Sequence, residues 1–165
     1  MFGKTKIPKI ARFEKISIQQ AMKDCQDNEW SRATVELPRR ATKNSAGYDF
    51  HCPYDITIKP GCGAVIPTFV RCMMKPGWVL TIYPRSSLGF KYKARLDNTV
   101  GIIDADYYES DNEGHIMVAI TNCGDKPMTL KENDRMCQGV FLPFGETEDD
   151  DVSADRNGGI GSTGR

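Results

Sequence analysis

The 165-residue chain has no net charge: 22 lysines and arginines balance 22 aspartates and glutamates. No whole-molecule field therefore draws it to nucleic acid or to an anionic membrane. It has no apolar run long enough to span a bilayer, and its first residues, MFGKTKIPKIARF, lack the apolar stretch of a signal peptide. Cysteine is present without organisation: Cys25, Cys52, Cys62, Cys72, Cys123 and Cys137 include no CxxC pair. With only His51 and His115 to join them, a zinc site is not expected, and without an export signal neither is a disulfide scaffold. Reduced thiols in a cytoplasmic protein are expected. Internal repeats are absent, and helical periodicity is confined to one short stretch.

That stretch is SIQQAMKDC. Ser17 can cap a helix with Gln20 three residues on, and Ile18, Ala21, Met22 and Cys25 fall at helical spacing. Residues 1–36 thus read as an N-terminal extension with a short helix. From Leu37 the texture changes to short apolar runs: Tyr54–Ile58, Ala64–Val70, Trp78–Tyr83, Val100–Ile103, Ile116–Thr121, Met128–Leu130 and Met136–Leu142. Turn signals such as Pro60-Gly61, Pro76-Gly77 and Asn122-Cys123-Gly124 separate them. Runs of strand length at this spacing predict an all-β sandwich or barrel over 37–144, with no room for βαβ crossovers. Residues 145–165 read as an acidic linker followed by a flexible, glycine-rich arm.

The arm, RNGGIGSTGR, offers backbone amides that can approach an anion, two hydroxyls and guanidinium groups. These are the parts of a phosphate cradle. Four clusters in the β region could complete it. Ser45-Ala46-Gly47-Tyr48-Asp49 places a carboxylate beside a glycine. Pro84-Arg85-Ser86-Ser87-Leu88-Gly89 delivers an arginine and two hydroxyls from a strand into a glycine-ended turn. In Asn98–Tyr107, Asp104 ends an apolar run, where partial burial can tune a base. The fourth is Asp134-Arg135-Met136-Cys137-Gln138. Asp104 and Asp106 suggest a calcium loop only superficially, since Tyr108 and a missing glycine spoil the EF-hand pattern.

In their order, AGYDF, PRSSLG, NTVGIIDADY, DRMCQ and RNGGIGSTG resemble the five motifs of the homotrimeric dUTP pyrophosphatases, the dUTPase family. The resemblance spans Leu37 to Gly164. It implies a jelly-roll-like β-barrel and hydrolysis of dUTP to dUMP and pyrophosphate, which lowers dUTP and supplies dUMP for dTMP synthesis. It further implies Mg²⁺ on the substrate phosphates and a homotrimer with shared active sites.

The resemblance also implies roles. Asp104 matches the catalytic aspartate that activates the water attacking the α-phosphorus, worth about 10²–10⁴ in rate. Tyr107 matches the aromatic under the deoxyribose, which leaves no room for a 2′-hydroxyl. Asn98, Gly101, Ile102 and Ile103 match the hairpin that reads uracil, and Met117 on the returning strand would close that slot. Arg85, Ser86, Ser87 and Gln138 match phosphate contacts. Asp49 matches a carboxylate that supports the metal through water. Arg156, Gly159, Ile160, Gly161, Ser162 and Thr163 match the arm that closes over the substrate. Arg135 is expected in a structural ion pair.

Three departures stand out. Ile160 occupies the place of the family's stacking phenylalanine, a loss of about 0.5–1.5 kcal/mol. Tyr108–Glu113 is inserted before Gly114, expected as a polar tip in solvent, with a protein-partner surface as the sharper alternative. The third is the N-terminal extension, which together with the insertion is similar to members from phages and low-GC Gram-positive bacteria. A dCTP deaminase would need an acid in the stretch His115–Ala119, which has none. A nucleotide-binding regulator, the rival from another class, would not need Asp104.

Overall fold

Alternation of buried and more exposed side chains, the signature of a half-buried strand, marks residues 70–74, 117–121 and 128–130. The computed structural model describes residues 7–25, 28–154, 156 and 158. Strand β1 (Ala11–Lys15) leads to helix α1 (Ile18–Asp24), a 3-10 turn (Glu29–Arg32), β2 (Arg39–Arg40), β3 (Tyr48–His51) and β4 (Ile56–Ile58). Then come β5 (Gly63–Pro67), β6 (Val70–Met74), β7 (Trp78–Pro84), helix α2 (Ser86–Tyr92), β8 (Arg95–Leu96) and β9 (Gly101–Ile103). A second 3-10 turn (Ala105–Glu109) precedes β10 (Met117–Thr121), β11 (Met128–Leu130) and β12 (Arg135–Pro143).

The largest sheet has the order β2-β3-β12-β7-β9, and β5-β10-β8 forms a second. Two-stranded sets β1-β6 and β4-β11 complete an all-β, jelly-roll-type fold. Among the described residues these are packed sheets, not a closed ring. Phe50, Ile66, Leu80, Ile116, Ile120, Met128 and Met136 form the dry core between them. Gly139 lets the central strand β12 lie flat on that core. A Cβ there would sit 2.8 Å from Leu80 Cδ1 and 3.0 Å from Phe50 Cε2.

Most sequence-derived runs are strands within a residue or two. Two differences have clear causes. Ala64–Val70 is not one strand, because Phe69 adopts φ +57° and the chain changes partners, from β10 on one side to β1 on the other. Arg85–Gly89 is not a glycine-ended turn. Leu88, 8% exposed, is drawn into the core and winds residues 86–92 into α2, with Gly89 inside it.

The N-terminal segment is knitted into the sheets. β1 pairs antiparallel with β6, and Phe13 packs against the rings of Tyr48, Phe50 and Phe141 at 5.4–5.9 Å. Ser17 caps α1 by accepting from Gln20 N–H at 3.1 Å. A second apolar cluster of Ile16, Ala21, Tyr54 and Phe69 sits beneath it.

The insertion Tyr108–Glu113 is not a free tip in solvent. Tyr108 Oη donates to Glu14, and the Arg71 guanidinium lies 4.2 Å from the centre of the Tyr108 ring. Glu113 accepts from both the backbone N–H and the hydroxyl of Ser17, at 2.8 and 2.6 Å. Tyr108 and Glu113, which sequence alone assigns to water, are instead held by Glu14 and Ser17 of the N-terminal segment, while Glu109 and Asp111 stay exposed.

Candidate active site

Antiparallel pairing of β9 with β7, in the register Gly101↔Ile82, brings the apolar strand Gly101–Ile103 to the edge of the large sheet. The hairpin before it turns on Thr99, whose φ is +67° and whose N–H donates to Leu96 O at 3.0 Å. Strand β10 runs alongside, and between them opens a cleft of about 430 Å³. Asn98, Gly101, Ile102, Ile103, Asp104, Tyr107, Met117 and Arg156 all line it. Gly101 keeps this wall thin, since a Cβ would lie 3.0 Å from Ile82 Cβ. The cleft holds one side of the expected site in a single chain.

Asp104 stands at the cleft mouth, immediately after β9, with its carboxylate about half exposed (47%). Arg156 reaches back from the C-terminal arm and pairs with Asp104 Oδ2 at 2.6 Å and Asp106 Oδ1 at 3.0 Å. Its guanidinium also lies 5.4 Å from the centre of the Tyr107 ring. Tyr107 is buried, and its hydroxyl is fixed twice: it donates to His115 O at 2.8 Å and accepts from Asn112 Nδ2 at 2.8 Å. Burial pushes the Tyr107 phenol up, so it remains a neutral donor.

The remaining expected contacts gather elsewhere. Asp49 on β3 faces Arg85 at 3.6 Å and Arg135 at 3.3 Å, so the ion pair expected of Arg135 is present. Gln138 on β12 is register-paired with Asp49, and its Oε1 would lie 2.7 Å from a Cβ on Gly47. Arg85 and Ser87 border a separate depression beside Asp134 and Arg135, and Ser86 is exposed at the start of α2. None of these residues lines the cleft that holds Asp104. Gly159, Ile160, Gly161, Ser162 and Thr163 lie outside the described residues.

Sequence reasoning missed several cleft walls: Val65, Ile82, Leu96, Asp97, Ile116, Val118 and Ala119. No local pattern marks these apolar strand residues as lining anything but core. Asp97 carried a weak signal as the neighbour of Asn98, and Thr121 ties it in place by donating to its carboxylate. Among the described residues no three His, Cys, Asp or Glu side chains cluster as a metal cage, and no helix is long and apolar enough to cross a membrane.

A concave, largely apolar cleft with a carboxylate–arginine pair at its mouth is the form of a small-molecule site on an all-β domain. The family model for dUTPase matches residues 33–164. The deoxyuridine 5'-triphosphate nucleotidohydrolase of Lactococcus lactis is 38% identical over 138 residues, covering 82% of this chain and 92% of that protein. That of Tolumonas auensis is 39% identical over 137 residues, 78% of this chain and 87% of that protein. The crystal structure of dUTPase from Streptococcus mutans superposes with a TM-score of 0.66 at 36% identity, covering 82% of this chain and 98% of that one. The dUTPase of phage phi11 of S. aureus shares the fold at a TM-score of 0.66 and 20% identity, over 88% of this chain and 97% of that one. The chain belongs to the dUTPase family, and its activity is the hydrolysis of dUTP to dUMP.

Proposed function

We propose that Asp104 activates the water that attacks the α-phosphorus of dUTP, in a site assembled from two neighbouring subunits of a cytoplasmic homotrimer. Asp104 takes a proton from the water, the new oxygen–phosphorus bond forms, and the bond to the β-phosphate oxygen breaks to release pyrophosphate. The observation that carries this reading is the division of the expected residues. The cleft holds Asn98, Gly101–Ile103, Asp104, Tyr107 and Met117, whereas Arg85, Ser87, Asp49 and Gln138 line other surfaces of the same chain. A neighbouring copy in a ring can supply the missing half to each cleft.

Each half has a physical task. The thin wall at Gly101 and the hairpin at Asn98 leave a slot for a flat pyrimidine, with Met117 opposite. A narrow hairpin slot excludes the thymine methyl. The immobilised Tyr107 ring supports a deoxyribose and crowds a 2′-hydroxyl. Arg85, Ser86, Ser87 and Gln138 bind the phosphate chain.

Mg²⁺ would arrive on the substrate phosphates, since the described residues offer no cluster of carboxylates to cage it. Asp49, whose two oxygens face Arg85 and Arg135, would contact such an ion through water, and phosphate oxygens would hold it. When bound, it would neutralise phosphate charge. Arg156, now on Asp104, would transfer to the phosphates with Gly159, Ile160, Gly161, Ser162 and Thr163 of the arm, leaving Asp104 free to act and shutting out bulk water.

The test is product analysis with each deoxynucleoside triphosphate and UTP in the presence of Mg²⁺, for wild type and Asp104→Asn. dUMP and pyrophosphate should appear from dUTP alone, and the variant should bind dUTP but lose about 10²–10⁴ in turnover. Comparable hydrolysis of dTTP or UTP would refute the assignment of the hairpin and Tyr107. An Asp104→Asn enzyme with full turnover would refute that of the base.

A further inference from the structure

The N-terminal helix is fastened at both ends to the segment that carries the hydrogen-bond partners of Tyr107. At its start, Ser17 is held by Glu113 through two hydrogen bonds. At its end, Asp24 Oδ2 lies 2.7 Å from His115 Nδ1, across 91 residues of sequence. The opposite nitrogen of the same ring, His115 Nε2, accepts the Phe69 backbone N–H at 2.9 Å. That acceptor role leaves the proton on Nδ1, so the neutral imidazole donates to Asp24. His115 is fully buried and stacks on Phe69 with centroids 5.6 Å apart.

The backbone of this histidine is what Tyr107 grips, its hydroxyl donating to His115 O. Between Tyr107 and His115 the insertion folds back on itself. Ser110 Oγ lies 2.6 Å from Tyr107 O, and Gly114 passes so close that a Cβ would meet Tyr107 O at 2.7 Å. The ring thus has little freedom of its own. Its height in the cleft is set by where His115 sits, and His115 is anchored by Asp24.

We propose that α1 is a positioning element for the sugar site: Asp24, through His115, holds Tyr107 at the height that separates deoxyribose from ribose. This rests on the reading of Tyr107 as the floor of the sugar site. It assigns to the extension and the insertion one joint role, which neither shows alone.

The experiment compares kcat and KM for dUTP and UTP in wild type, Asp24→Ala and Asp24→Asn. Asp24→Ala should raise KM for dUTP and lower the dUTP-over-UTP ratio of kcat/KM about tenfold, with kcat for dUTP within about twofold of wild type. Asp24→Asn should restore the ratio, because its amide oxygen still accepts from Nδ1–H. A merely structural role would reduce the active fraction and so lower kcat for both substrates alike. An unchanged ratio in folded Asp24→Ala overturns the proposal. If that variant does not fold, Asp24→Ser, whose shorter hydroxyl cannot reach His115 Nδ1, should shift the ratio in the same direction, and an unchanged ratio there overturns it equally. A wild-type enzyme that makes no dUMP from dUTP would instead refute the reading of the site itself, and this inference with it.

Discussion

Arg156 Nη2 lies 2.6 Å from Asp104 Oδ2, so the cation of the C-terminal arm sits directly on the carboxylate proposed as base. The contact joins residues 52 apart in sequence, and the arginine is largely shielded, at 13% exposure. Two acids and the Tyr107 ring face share the one guanidinium. A triphosphate entering the cleft offers a denser negative charge than the two carboxylates. On the proposed reading the arginine leaves these carboxylates for the phosphates when substrate enters.

Arg156→Ala should raise KM for dUTP and lower kcat/KM about 10- to 100-fold, the range expected when a hydrogen bond to a charged group is lost. Arg156→Lys should recover only part, since an ammonium keeps the charge but not the bidentate fork. Continuous measurement of pyrophosphate release checks both. An Arg156→Ala enzyme with improved affinity would show that the arginine only blocks the cleft.

The proposed division of the site between subunits predicts complementation. Asp104→Asn and Arg85→Ala homotrimers should both be nearly inactive. Subunits mixed at equal ratio, unfolded and refolded together, should regain about a quarter of wild-type activity. In a cyclic trimer every mixed assembly rebuilds one complete site in three, and about three assemblies in four are mixed. No recovery would place Arg85 and Asp104 in the same subunit's site.

Acid should weaken the fold from about pH 6.5 downward, through its buried histidines. Burial holds the His115 imidazole below its ordinary value against the opposing pull of Asp24 and Glu113, so the folded state keeps it neutral. Unfolding below about pH 6.5 adds a proton to it, and the unfolded chain then binds more protons. This contribution to stability is full above pH 6.5 and is lost as pH falls through the lowered folded value. His51, with Asp49, Glu36, Arg135 and Arg85 around it, shifts in the same direction for the same reason. Glu14 and Glu113 are held below the carboxylate range, mainly by Tyr108 and by Ser17, and add their losses at still lower pH. Thermal midpoints followed from pH 8 to 5 should therefore be flat and then decline, with a smaller decline in His115→Gln.

Gly139→Ala should destabilise the fold by about 1–3 kcal/mol, because the added methyl meets Leu80 and Phe50 inside a packed core. Gly145→Ala, with nothing within 4 Å of its Cβ, is the control and should cost little. Urea denaturation of the two variants makes the comparison.

The order of the motifs, the strand-length apolar runs and the cap at Ser17 are legible in the chain, because each depends on residues within a few positions of one another. Asp104 is visible as the polar end of an apolar run, whereas Tyr107 is marked only by the resemblance of its motif. What the chain could not show is which groups meet across long separations. Asp24 and His115, or Glu14 and Tyr108, carry no local mark of partnership. Read singly, Tyr108–Glu113 is a polar loop and α1 an amphipathic helix. Side-chain hydrogen bonds between distant segments follow from how the sheets stack, and that depends on the whole core at once. The fold class was determined by local pattern, whereas the clasp behind Tyr107, the resting place of Arg156 and the separation of Asp104 from Arg85 onto different surfaces of one chain were decided only by tertiary packing.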